Sequence, residues 1–231
     1  MADYGQIELR VAALVSGDPA MLEAYARGED LHRKTSAAVA GVPPEDVTPE
    51  QRQMAKAVNF GLLYGQGAKG LAAYARASYG VDMTLDQAKR ARGTFFDTYR
   101  GMAIWQRQTA QTSERTQRAI TSGGRVRDFS IEGRGYRYTE ALNTPIQGGA
   151  AEVLLAALAR LEDALAGLDA RLVNVVHDEL VLEVAEKDAA AVKAAVERAM
   201  VEGFLAVFPD GAGATQGLVE AKAGPNWAAA K

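Results

Sequence analysis

Three short stretches hold residues whose types and spacing could do chemistry. The first is Asp3-Tyr4-Gly5-Gln6-Ile7-Glu8-Leu9-Arg10. An aspartate just ahead of a helix start is ordinarily a cap. The second carries Arg52, Lys56, Asn59, Phe60 and Tyr64. Steps of three and four put Arg52, Lys56 and Phe60 along one side of a helix. Two cations one turn apart, followed by aromatic rings, suit a triphosphate and a stacked base. The third is Val176-His177-Asp178-Glu179, set between two strongly apolar runs. A bland turn there would use Gly or Asn. Taken together, two aspartates far apart in sequence can converge on divalent cations, and hard carboxylate oxygens suit Mg²⁺. Two such ions about 3.5–4 Å apart stabilise both the attacking and the leaving oxygen of an in-line phosphoryl displacement.

Elements that would position these groups can be read from periodicity and caps. Residues 6–16 read as a helix, and Asp18-Pro19 opens a second that stops near Gly28. Thr48-Pro49-Glu50-Gln51 is a capping box that opens a helix to about Tyr64. Gly65, Gly67 and Gly70 punctuate the segment after that helix. Thr84 with Gln87 opens a helix to about Tyr99, and residues 102–119 form another. From Ile120 to Tyr138 the texture is Gly, Arg and β-formers, expected as short strands in hairpins. Thr144-Pro145-Ile146-Gln147 repeats the capping-box pattern and predicts a helix from there to about Ala166. Residues 172–176 and 180–184 are two strands of a hairpin with an acidic tip. Residues 187–205 form an Ala-rich helix, and 217–222 a last strand. The expected fold class is α+β, an antiparallel sheet with packed helices plus a helical subdomain.

Composition narrows the function classes. The chain has 231 residues, 48% apolar and 24% charged, ordinary values that set aside disorder, collagen and coiled coil. With no cysteine, a thiolate zinc site and a cysteine nucleophile are excluded. Met1-Ala2-Asp3-Tyr4 lacks the basic and apolar regions of a signal peptide. Net charge is -3, yet the charges are segregated. Residues 89–137 carry eleven cations against four anions, and residues 152–220 carry thirteen acids against five bases. Such asymmetry fits an electrostatic partner in one region and not in the other.

In order, Asp-Tyr-x-Gln-Ile-Glu-Leu-Arg, Arg-x-x-x-Lys-x-x-Asn-Phe-Gly-x-x-Tyr-Gly and Val-His-Asp-Glu resemble motifs A, B and C of family A DNA polymerases, the DNA polymerase I type that includes many phage enzymes. Asn143-Thr144-Pro145-Ile146-Gln147-Gly148 and Gly224-Pro225-Asn226-Trp227 resemble two further segments of that family. The resemblance spans essentially the whole chain. It implies DNA-templated addition of deoxynucleotides to a primer 3′ end, with a DNA primer–template and deoxynucleoside triphosphates as partners and no membrane. It implies two Mg²⁺ ions, with Mn²⁺ able to substitute, held by Asp3, Asp178 and the backbone carbonyl of Tyr4, and Glu179 as an auxiliary carboxylate. Arg52 and Lys56 match a triphosphate clamp, with Lys56 the general acid. Glu8 matches a sugar gate that pairs with Tyr64 and blocks a ribose 2′-hydroxyl. Phe60 matches the ring on the incoming sugar, where phenylalanine is expected to disfavour dideoxynucleotides. Gln6 and His32 complete the nucleotide-binding set. His177, Tyr64, Asn143 and Gln147 match primer–template contacts, the last pair reading minor-groove acceptors that sit alike in all four base pairs. The same match implies a palm at 1–29 and 120–231, with fingers at 30–119 whose moving helix is 49–64. The implied location is a bacterial or phage-infected cell's cytoplasm.

The sequence departs from the pattern at Gly5, Gln53 and Thr139, mild changes that resemble phage-like members. A thumb and an exonuclease segment are expected upstream of motif A and are absent from this sequence. Weak, non-processive activity is therefore expected, because thumb contacts supply salt-dependent phosphate binding. A missing thumb segment or subunit is a further expected partner. A second reading stays open: a catalytically idle remnant or partner-dependent subunit that binds nucleic acid or nucleotide without turnover. Intact Asp3, Lys56 and Asp178 weigh against it.

Overall fold

Ala2, Asp3 and Tyr4 alternate in character, and they form a three-residue strand, β1 (Ala2–Tyr4), with Ala2 and Tyr4 buried. The structure is a computed structural model that describes residues 1–230. The chain clusters into two units, one of residues 1–8 and 147–231, the other of residues 9–146. The boundaries fall within two helices, α1 (Ile7–Ser16) and α8 (Tyr138–Ala164).

Residues 9–146 are mainly helical. After α1 come α2 (Pro19–Ala26), α3 (Leu31–Ala40), α4 (Pro49–Leu63), α5 (Ala68–Tyr79), α6 (Leu85–Thr98) and α7 (Arg100–Thr116). A short hairpin, β2 (Arg118–Ile120) with β3 (Val126–Asp128), precedes α8. Sequence signals account for most starts. Asp18 caps α2 ahead of Pro19, and Thr48 and Thr84 each form a complete capping box with Gln51 and Gln87. The buried Asp18 does more, because its Oδ2 also accepts the Gly101 N–H at 2.7 Å and the Met102 N–H at 3.3 Å, at the start of α7. At the other end of α4, Gln106 Nε2 donates to the carbonyls of Leu62 (2.6 Å) and Leu63 (3.2 Å). Those are carbonyls a helix terminus leaves without intrahelical partners, so α7 fixes the position of α4.

The second unit holds a four-stranded antiparallel sheet ordered β4-β5-β1-β6, with β4 (Ala170–Val176), β5 (Glu179–Val184) and β6 (Val219–Ala221). Directly opposed residues of antiparallel strands share a face. Ala2 lies opposite Leu180 and Ala221, all buried, whereas Asp3 lies opposite Glu179 and Glu220. One face is therefore apolar and the other acidic. The helix α9 (Ala189–Val207) is tied to the apolar face, where the Tyr4 hydroxyl donates to the Met200 carbonyl at 2.8 Å. Within this unit α9 crosses α8 closely at Gly203, where a Cβ would lie 2.5 Å from the Ala157 backbone nitrogen. A short α10 (Trp227–Ala230) follows β6. No helix among the described residues is long and apolar enough to cross a membrane.

The α+β class is as expected, and three local readings are corrected. The helix expected to begin at the Thr144 capping box begins instead at Tyr138, with Pro145 inside it. Thr144 Oγ1 donates back to the Glu140 carbonyl at 2.7 Å rather than capping a new helix. Ala141, Leu142 and Ile146 are fully buried on either side of the proline, and burial of that apolar face outweighs the carbonyl bond that proline cannot make. Helices α3 and α5 formed no part of the expected set. The region 120–138 holds one hairpin, not several, and the α7 helix stops at Thr116 because Gln117 turns left-handed (φ 56°).

Candidate functional site

The acidic face of the sheet gathers carboxylates from distant parts of the chain. Asp3 is central in β1, facing Glu179 on one side and Glu220 on the other. Asp178 stands at the tip of the β4–β5 hairpin, which is the two-residue turn His177-Asp178, since Val176 pairs with Glu179. The turn requires a left-handed residue, and His177 takes that conformation with φ 56°. The Tyr4 N–H donates to the Asp178 carbonyl at 3.3 Å and so ties the tip to β1 beside Asp3. Both aspartates are pushed above the ordinary carboxylate range. For Asp3 the causes are burial, then the charges of Asp178, Glu220 and Glu179, with Lys222 opposing. For Asp178 burial again leads, and the charges of Glu8 and Glu179 add to it, while a backbone hydrogen bond and His177 oppose. Half-buried carboxylates raised by burial and by neighbouring acids make a place where a bound cation is favoured.

The supporting residues differ in what they have free. The Tyr4 ring is buried and its hydroxyl committed to Met200, and burial raises its pKa, so its backbone is what it can offer a ligand. Glu179 lies in β5 rather than in the turn, is buried, and accepts the indole N–H of Trp227. Among the described residues no group of three or more His, Cys, Asp or Glu side chains forms a metal cage. The pair of aspartates nevertheless fits Mg²⁺, which takes one or two carboxylates and completes its shell with water and substrate phosphates.

In the helical unit, α4 carries Arg52, Lys56 and Phe60, with Tyr64 at its C-cap, each half-buried. Phe60 and Tyr64 stack, with ring centroids 6.5 Å apart and planes at 26°. Arg52 Nε donates to Asp30 Oδ2 at 2.6 Å. Burial works to raise the Asp30 carboxyl, but the hydrogen bond and charge of Arg52 outweigh it and hold the group below its usual range. The other Asp30 oxygen caps α3 by accepting the His32 N–H at 2.9 Å. The His32 ring lies 5.6 Å from Phe60 and its Nδ1 meets Asn59 Nδ2 at 2.8 Å. Burial lowers His32 to about 4, Asp30 opposing and Arg52 and Lys56 contributing. The structure thus brings His32, Arg52, Lys56, Phe60 and Tyr64 into one neighbourhood.

Of the remaining candidates, Gln6 takes a left-handed conformation (φ 57°) between β1 and α1, and Glu8 lies in the first turn of α1. Asn143 and Gln147 are one turn apart on α8. Asn143 Oδ1 is buried without a hydrogen-bond partner, whereas Gln147 is exposed. His177 is exposed at the hairpin tip. Sequence reasoning gave no role to Asp30, Asn59 or Glu220. Asn59 stands inside the second motif, and an amide set between Val58 and Phe60 in a helix would have been the signal.

The fold is α+β, with two neighbouring aspartates in the sheet unit and a cationic, aromatic helix in the helical unit. The sequence profile of DNA polymerase family A matches residues 1–229, and the chain belongs to that family. It is 40% identical over 205 residues to DNA polymerase I of Aquifex aeolicus (strain VF5), covering 87% of this chain and 34% of that protein. It is 41% identical over 193 residues to DNA polymerase I of Pseudomonas aeruginosa, covering 80% of this chain and 20% of that protein. Among solved structures, it resembles the POL domain of Pol1 from M. smegmatis, in complex with DNA primer-template and dNTP. The TM-score is 0.79 at 33% identity, with 87% of this chain and 36% of that chain covered. The chain spans about a third or less of the length of these relatives.

Proposed function

We propose that this chain carries out DNA-templated addition of deoxynucleotides to a primer 3′ end. The observation that carries the reading is the meeting of Asp3 with Asp178 at the β1 edge of the hairpin tip, each raised by burial and surrounding carboxylates. In this reading Asp3, Asp178 and the Tyr4 carbonyl hold two Mg²⁺ ions, for which Mn²⁺ can substitute. Bound there, the cations supply charge neutralisation at the attacking and leaving oxygens of an in-line displacement. Glu179, held by Trp227, adds negative potential behind the pair.

Arg52 and Lys56 bind the triphosphate, and Lys56 gives its proton to the leaving pyrophosphate oxygen. Phe60 packs on the incoming sugar and His32 donates to a phosphate oxygen. Gln6 joins the nucleotide contacts. Glu8 excludes a ribose 2′-hydroxyl by occupying its place. His177, Tyr64, Asn143 and Gln147 contact the primer–template, with the buried, unpartnered Asn143 Oδ1 an acceptor awaiting a donor. In this scheme residues 1–29 and 120–231 act as the palm and 30–119 as the fingers. Because the chain spans a third or less of its relatives, extension by the chain alone is expected to be weak and sensitive to salt.

The test is extension of a labelled primer–template in Mg²⁺ with four deoxynucleotides at low salt, beside Asp178→Ala. Extension by the parent and none by the variant supports the reading. Nucleotide or DNA binding without extension, in a cooperatively folded parent, would favour a binding subunit instead.

A further inference from the structure

The buried pair of His32 and Asn59 has no role in the scheme above beyond the histidine's contact with phosphate. Asn59 is fully buried and His32 nearly so. Their contact, Asn59 Nδ2 to His32 Nδ1 at 2.8 Å, leaves Asn59 Oδ1 with no partner. With the amide as donor, Nδ1 must be bare, and the ring's proton resides on Nε2. The opposite arrangement would strand both hydrogens of a buried amide in place of one oxygen, the more costly choice.

The charged groups that face the ring are one anion, already engaged, and two cations. They are Asp30, from the turn ahead of α3, and Arg52 and Lys56 from α4. Each Asp30 oxygen already has a donor, Oδ1 the His32 backbone N–H at 2.9 Å and Oδ2 the Arg52 guanidinium at 2.6 Å. The two cations oppose a third positive charge beside them.

We propose that Asn59 is a positioning residue for nucleotide binding: its amide holds the His32 ring uncharged, with the proton on Nε2. The ring then gives the triphosphate gripped by Arg52 and Lys56 a hydrogen-bond donor and not a third cation. This rests on the reading that α4 receives the triphosphate. His32 then adds no pH dependence to nucleotide affinity through the range where an ordinary histidine titrates, near pH 6.5. Depression of the His32 pKa to about 4 agrees with it.

The test is ¹⁵N-imidazole NMR of the full chain between pH 7.5 and 4.5. The sequence has two histidines, His32 and His177, so His177→Gln assigns both signals. The expected result is a bare Nδ1, a protonated Nε2 and no titration of His32 above about pH 5. Asn59→Asp, which keeps the shape and adds a carboxylate, is expected to move the His32 midpoint upward by more than one pH unit. In single-nucleotide addition, Asn59→Leu is expected to raise the deoxynucleotide KM about tenfold with a smaller change in kcat. Should Asn59→Leu fail to fold, the parent spectrum and Asn59→Asp still decide. A proton on Nδ1, a parent midpoint near 6.5, or a midpoint unmoved by Asn59→Asp would overturn the proposal. If the tautomer is as expected but His32→Ala leaves the nucleotide KM unchanged, the triphosphate reading itself fails and the role of Asn59 falls with it.

Discussion

Asp30 holds two neighbours at once, and replacing it separates their contributions. Its Oδ1 caps α3, and its Oδ2 pairs with Arg52 at 2.6 Å. An N-cap is worth about 1 kcal/mol. The ion pair is partly exposed, with side-chain exposures of 34% for Arg52 and 28% for Asp30, so about 0.5–1 kcal/mol is its share. Asp30→Ala loses both, about 2 kcal/mol in all, which for a chain of this size is a fall in Tm of roughly 4–8 °C. Asp30→Asn keeps a capping oxygen and loses only the charge, for a cost of about 0.5–1 kcal/mol. The Asp30 carboxyl titrates below its ordinary value in the folded chain. Its charge contribution is therefore fully present above the unfolded pKa and is lost as pH falls through the folded one. Urea denaturation at pH 7 reads both variants, and raising salt to about 1 M should shrink the gap between parent and Asp30→Asn through screening. Equal losses for Asn and Ala would refute the capping contribution. A loss under about 0.5 kcal/mol for Ala would refute the whole assignment.

Further outcomes are expected from the same geometry. Asp18→Ala removes the acceptor for N–H groups at the starts of both α2 and α7 in a fully buried place, and a loss of about 3–5 kcal/mol is expected by denaturant titration. His32, lowered from 6.5 to about 4, takes up its proton more readily when unfolded, so its contribution is present above pH 6.5 and is lost as pH falls toward 4. That amounts to about 3 kcal/mol, read as a shallower acid limb in His32→Gln than in the parent. Asp3 and Asp178 behave in the opposite sense, because their raised pKa values mark burial and repulsion that protonation relieves. Asp178→Asn is therefore expected to raise Tm at pH 7 while abolishing extension, and a lowered Tm would count against repulsion among these carboxylates.

How much of this was legible in the residues depended on whether the signal was local. Thr48 with Gln51 writes a helix start into four consecutive residues, and α4 begins there. The same pattern at Thr144 and Gln147 misleads, because buried Ala141 and Leu142 carry the helix through Pro145 from a start at Tyr138. Burial of a continuous apolar face outranks a local cap signal. The aspartates of the sheet were legible as motif residues, and the apolar runs around Asp178 predicted its two strands. The partners that tune the candidate site were not. Asp30 with Arg52, His32 with Asn59, and Glu179 with Trp227 are joined over 22, 27 and 48 residues. No periodicity links such pairs, since only the folded path of α3 beside α4, or of β5 beside the last turn, brings them together. Glu179 shows the difference well. Its acidic character was plain, but its burial against an indole N–H could not be read from a hairpin tip.

The central claim is that Asp3 and Asp178 act as one unit at the reaction centre. The most direct test is a double-mutant cycle on the rate of adding one matched deoxynucleotide to a primer–template in Mg²⁺, using Asp3→Asn, Asp178→Asn and the pair combined. If the two carboxylates work together, each single variant loses nearly all the rate and the double variant is hardly worse than either. Losses that simply add, or a single variant that keeps the parent's rate, would contradict it.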